Sequence, residues 1–142
     1  MDVFQKIIHE ISRIHPLMVH FPIALTGAAL FFILLAIWRR SDLMEKVAFA
    51  NISLAALATM VAAIAGIRDN ATFYNGRATN HVVKMILAFT LFVVTSAIAL
   101  ARQRKPNLFH DRSTKVVYVL GYFVSFALAG VLGYLGGIIV YG

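Results

Sequence analysis

Five histidines and six carboxylates are the side chains of this 142-residue sequence that could hold a metal or move a proton, and cysteine is absent. Without thiols there is no disulfide, no cysteine-held iron–sulfur cluster and no thioether-linked haem, so a metal must sit on His, Met, Asp or Glu. His20 lies inside a long apolar stretch, where an imidazole is costly unless it is paired, hydrated or metal-bound. A bland account of it is a hydrogen bond to backbone freed by Pro22. His15 and His81 sit at the starts of two such stretches, where a histidine can also simply meet the membrane interface. His9 and His110 are expected in solvent.

Spacing limits which histidines can cooperate. His15 and His20 are ~7.5 Å apart along a regular helix and ~140° apart around it, so one small ion takes both only if the helix is distorted at Pro22. His20 with His81, on separate helices, avoids that limit. Two inward imidazoles from different helices are what axial ligation of haem b requires, and Lys84 or Arg68 would neutralise a propionate. In this leading reading the chain passes electrons between a quinol and a redox partner, with His15 and Asp69 steadying ring nitrogens or waters. A second reading is a haem-free site in which His15, Asp69 and His81, with His20 nearby, bind copper, zinc or iron. In a third, the protein is a structural subunit and its histidines are merely hydrogen-bonded. Catalysis by a carboxylate pair is disfavoured, because Asp2, Glu10, Asp42, Glu45, Asp69 and Asp111 all fall at or beyond the ends of the apolar stretches. The same placement, with no long inverted repeat, argues against a transporter.

These residues must be positioned by membrane-spanning helices. The chain is 61% hydrophobic and 13% charged, too apolar for an ordinary soluble domain of this length. Four uncharged stretches, Ile14 to Trp38, Val47 to Ile67, Met85 to Ala101 and Val116 to Gly142, are long enough or nearly so for ~30 Å of hydrocarbon at ~1.5 Å per residue. The expected architecture is all-α: one domain over 1–142, a short interfacial amphipathic helix over about 2–13, and an integral membrane four-helix bundle with spans at about 15–38, 44–67, 81–101 and 116–141. The first helix carries Val3, Phe4, Ile7, Ile8, Ile11 and Ile14 on one face. Its sequence lacks a cationic start and a small-residue cleavage site, which predicts that it is retained. Pro22 predicts either a kink around His20 or a regular helix that starts only there. Asn80 is the expected N-cap of the third span.

The connections are too short for a separate catalytic domain. The net charge of +7 is spread over helix ends and short loops, with no aromatic-basic platform, so it points to topology and lipid rather than nucleic acid. Eight Lys and Arg flank the 39–46 and 102–115 connections and five lie on the other face, which predicts both termini outside. In either orientation His15, His20, Asp69, His81 and Lys84 share one end of the bundle.

Helix four carries Gly121, Ser125, Ala129, Gly133 and Gly137 at four-residue spacing, a ladder suited to close helix packing, to a flat wall for a planar cofactor, or to a homo-oligomer or larger-complex interface. Ala55, Thr59, Ala62, Ala63 and Gly66 form a similar narrow face on helix two. On helix one the predicted inward stripe is His20, Ala24, Gly27 and Ala28, and on helix three it is His81, Met85, Ala88, Phe92 and Ser96.

The run His15-Pro16-Leu17-Met18-Val19-His20-Phe21-Pro22-Ile23-Ala24-Leu25, with Gly66-Ile67-Arg68-Asp69 and His81 further on, resembles a family of small bacterial four-helix membrane proteins, domain of unknown function 2231. The resemblance implies a bacterial inner membrane location. It singles out His15, His20, Asp69 and His81 by position. Members joined to Rieske or cytochrome c modules imply electron transfer at the membrane, with a quinone and a redox protein as partners.

Overall fold

In the computed structural model, Asp2, Val3, Gln5, Lys6 and residues 17–141 are described, with side chains through residue 138. Four helices follow in order: α1 (His20–Arg39), α2 (Asp42–Phe73), α3 (His81–Arg104) and α4 (Arg112–Tyr141). Each packs against the next in sequence and α4 returns to α1, giving an up-down four-helix bundle. All four are long and apolar enough to cross a membrane. The expected interfacial helix over 2–13 lies mostly outside the described residues, as does His15.

Helix ends are set by local chemistry rather than by the first charge encountered. α1 begins at His20, so Pro22 falls in its first turn, where a missing N–H costs no helical bond, and the helix is not kinked there. It ends where Arg40 adopts a left-handed conformation (φ 50°) and its N–H donates to the Ala36 carbonyl. The Ser41 hydroxyl then accepts from Met44 N at 3.4 Å and starts α2, whose first turn carries Asp42 and Glu45 against the positive end of the helix dipole. α2 therefore extends beyond the expected 44–67 at both ends, and Arg68 and Asp69 lie inside it rather than after it. α3 and α4 likewise absorb charged residues, Arg102 and Arg104 in the first and Arg112 and Lys115 in the second. Asn80 does precede α3, but its side chain caps nothing; it supplies a left-handed backbone (φ 56°) instead.

The cross-section is small and weakly polar inside and large and apolar outside. Ala29, Ala36, Ala48, Ala55, Thr26 and Thr95 are buried, while Phe31, Leu57, Ile64, Phe89 and Val117 are exposed. Lipid offers helices no hydrophobic gain on association, so small residues that permit close approach occupy the interior and bulky ones face the chains. The buried hydroxyls are satisfied locally: Thr26 donates to the Pro22 carbonyl at 2.7 Å, Thr59 to Ala55 at 2.7 Å and Thr95 to Leu91 at 2.8 Å.

The helix-four ladder is largely taken up inside this bundle. A Cβ on Gly121 would come 2.7 Å from Ile98 Cδ1 of α3, and one on Gly133 would come 2.7 Å from Ile23 Cδ1 of α1. Ser125 and Ala129 between them are buried. Gly121, Ser125, Ala129 and Gly133 thus serve the packing role, not an outer oligomer face; at Gly137 a Cβ would meet nothing within 4 Å. The predicted α2 face also points inward at Ala55, Thr59 and Ala62.

Candidate functional site

Polar side chains gather at both ends of the bundle. At the end where α1 and α3 begin, the sequence-predicted residues take up different environments. Asp69 is 5% exposed, about one turn from the end of α2, and Asn70 beside it is 7% exposed. Asn70 organises the connection to α3. Its carbonyl accepts from Tyr74 N at 3.2 Å and Gly76 N at 2.9 Å, and its Oδ1 accepts from Ala78 N at 2.9 Å. Asn75 and Gly76 are both at positive φ in that turn. His81, the first residue of α3, is half-buried, and its N–H donates to the Ala78 carbonyl at 3.1 Å. A single buried asparagine therefore links the position of Asp69 to that of His81.

His20, Lys84 and Arg68 complete this end. Lys84 is half-buried, three residues into α3, and Arg68 is exposed. His20 is exposed as well, which corrects the expected inward stripe on α1. The buried positions of that helix are Pro22, Thr26, Ala29, Ile33 and Ala36. His20, two residues before Pro22, is turned by about 200° from that face. On α3 the buried line is Leu91, Thr95, Ile98 and Ala99, one position away from the predicted His81, Met85, Ala88, Phe92 and Ser96 stripe, whose members are half-buried. The buried lines of both helices mix alanine with threonine, isoleucine or leucine, so residue size alone does not mark the inward edge. Among the described residues, no three His, Cys, Asp or Glu side chains come together as a metal cage.

The opposite end holds a polar cluster that the sequence reading missed. Glu45 is 3% exposed and receives Arg102 in a two-pronged pair, Nε to Oε1 at 2.6 Å and Nη2 to Oε2 at 2.9 Å. Tyr118 Oη donates to the same Oε1 at 2.8 Å and lies 2.9 Å from Tyr122 Oη. One carboxylate thus ties α2 to α3 and α4. The bidentate geometry is the strong form of such a pair, and every oxygen of the carboxylate is engaged. Leu108 and Phe109 of the 105–111 connection are buried in the same core as Tyr118 and Tyr122. Thr114 Oγ1 fixes that connection by donating to the Leu108 carbonyl at 3.0 Å. His110 remains solvent-facing, as expected, 3.2 Å from Asp42.

Glu45 stands at the very start of the expected 44–67 span, where a charge marks a helix end rather than a core position. A usable signal was present: Glu45, Ala48, Ile52, Ala55, Thr59 and Ala62 follow one helical face. Tyr118, Tyr122, Ser125 and Ala129 do the same on α4 at alternating four- and three-residue spacing. Extending the inward faces through the charged ends would have placed the carboxylate, the guanidinium and both phenols in the core.

This cluster is chemically closed, so it is a structural pin; the histidine end, with imidazoles at two helix starts and a buried carboxylate, is the candidate ligand site. No curated protein and no solved structure matches the chain. The family model for DUF2231, described as a predicted membrane protein, matches residues 12–142. With four membrane-length apolar helices and a match spanning nearly its whole length, the chain belongs to the DUF2231 family of predicted membrane proteins.

Proposed function

We propose that this protein is a membrane-embedded subunit that binds one divalent transition metal at the end of the bundle where α1 and α3 begin. The observation that carries the reading is the burial of Asp69 at the same end as histidines that start two helices. A carboxylate with imidazoles is a donor set for zinc, copper or iron. Asp69 and His81 are the primary donors in this reading. His15 and His20 supply the remaining imidazoles, and Asn70 keeps the first two in register. Lys84 and Arg68 surround the site with positive charge and favour an anionic partner or co-ligand there.

A second reading keeps haem b between His20 and His81, with electrons passing from a quinol to a redox protein. It is favoured by both residues being the first of their helices at a shared end, and it requires the exposed His20 to turn toward the ring. Metal analysis and a dithionite-reduced minus oxidised spectrum of the purified protein separate the two. The metal reading expects about one equivalent of zinc, copper or iron without a porphyrin spectrum, lost in Asp69→Asn and His81→Ala but kept in Tyr122→Phe. A b-type spectrum lost in His20→Ala and His81→Ala would replace it with the haem reading. Neither metal nor porphyrin, in protein purified without chelator, would leave a purely structural subunit.

A further inference from the structure

At the end of the bundle away from the histidines, α1 stops and α4 starts around a cleft of about 240 Å³. Its lining is divided. Arg40 and Lys115 bring two cations, His110 and Asp42 stand at the side as a 3.2 Å pair, and Ile37 and Phe109 supply an apolar base. Arg40 occupies the left-handed residue that ends α1, and Lys115 Nζ lies 4.6 Å from the Phe109 ring centroid. Phe109 is itself buried in the bundle core, so the ring beneath Lys115 is anchored.

The surroundings place this cleft at a membrane–water boundary. Trp38, 77% exposed, has Arg39 stacked over it at 5.4 Å, the amphipathic pairing of an interfacial belt. Ile37, next along α1, is exposed on the apolar side. Going from Arg40 back through Ile37, the lining passes from cationic to apolar over less than one helical turn, ~5 Å. A phospholipid makes the same change from phosphate to glycerol and acyl chain.

We infer that this cleft is a binding site for the phosphate headgroup of an anionic phospholipid, held by Arg40 and Lys115 with the start of an acyl chain against Ile37. Phosphate is the common chemistry of a lipid headgroup and a soluble phosphate compound. The apolar continuation at Ile37 and the interfacial Trp38 favour the lipid. The charge nearby is not uniformly attractive, since Asp42 faces the same cleft and opposes an anion. Basic clefts between helix ends at a membrane surface suit such headgroups, each cation adding to the attraction.

The test is native mass spectrometry of the detergent-solubilised full chain titrated with phosphatidylglycerol or cardiolipin, against phosphatidylcholine and against inorganic phosphate. Retention of one anionic lipid is expected, with binding weakened roughly tenfold or more in Arg40→Gln/Lys115→Gln. Arg104→Gln/Arg112→Gln removes the same charge outside the cleft and is expected to change binding less than about threefold. Asp42→Asn is expected to tighten it, an outcome that a misfolded variant would not produce. Equal retention of phosphatidylcholine overturns the proposal, as does equal weakening by the two double variants. Binding of inorganic phosphate as tight as that of the lipid would assign the cleft to a soluble phosphate compound and overturn the lipid.

Discussion

The two ends of the bundle solve the problem of polar groups in an apolar protein in different ways. At one end Glu45 is enclosed, and its oxygens are met by Arg102 and Tyr118 from two other helices, with Tyr122 behind. At the other, Asn70 shapes a backbone turn, and the histidines are left at the surface or half-buried at helix starts. The first arrangement fixes helix register and engages both oxygens of a buried carboxylate within the bundle. The second fixes a loop and leaves imidazoles approachable. The contrast separates a pin from a candidate site: the closed network holds the helices together, and the proposed ligand would meet the accessible donors at the other end.

The largest expected effect comes from breaking the pin. Arg102→Ala leaves a buried carboxylate without its cation, and the cost expected is about 3–5 kcal/mol. Glu45→Leu/Arg102→Met removes both charges and is expected to recover much of that loss. Chemical unfolding in mixed micelles reads both; a double variant no better than the single would show that the pair itself, not the orphaned charge, carries the stability. Tyr118→Phe deletes one hydrogen bond to the carboxylate and is expected to cost about 1.5–3 kcal/mol, with Tyr122→Phe nearer 1 kcal/mol. Metal content should be unchanged in the tyrosine variants, since they sit at the wrong end.

Much of this contrast was legible in the sequence, but unevenly. Four spans, their order and the clustering of His20, Asp69, His81 and Lys84 at one end follow from hydropathy and from the antiparallel path. The Gly121, Ser125, Ala129 and Gly133 ladder was readable as close packing because four-residue spacing of small residues has few other uses in lipid. Inward faces were harder. In a span that is apolar all round, the hydrophobic pattern carries almost no direction, and Ala24 looks as inward as Thr26 although only Thr26 is buried. The Glu45 cluster was hidden for a related reason. Charge marks helix ends when each span stands alone, and a charge that pairs across the bundle, as Glu45 does with Arg102, is invisible to a rule applied one helix at a time.

The ladder gives a finer division between used and unused surface. Gly121→Leu drives a side chain into Ile98 and is expected to destabilise by about 1–3 kcal/mol, whereas Gly137→Leu, where a Cβ meets nothing within 4 Å, should cost little. Equal costs at both positions in the same unfolding measurement would mean that Gly137 packs against a second chain.

The smallest expected effect concerns the turn at the histidine end. Asn70→Ala removes the acceptor for Ala78 N, a bond within a region otherwise held by backbone contacts. The loss of global stability expected is about 1 kcal/mol, because the Asn70 carbonyl still accepts from Tyr74 and Gly76. The local consequence is larger in kind. With the 74–80 turn no longer tied to α2, hydrogen exchange at Ala78 and His81 should quicken while amides near Tyr122 stay protected. Metal affinity should fall about 10- to 100-fold, the range for losing a group that orients ligands without touching the ion. Faster exchange with unchanged metal content would keep Asn70 as a turn-former and remove it from the site. Quickened exchange at both ends would instead show that the pin and the turn open together, and that the two ends are less independent than their hydrogen bonds indicate.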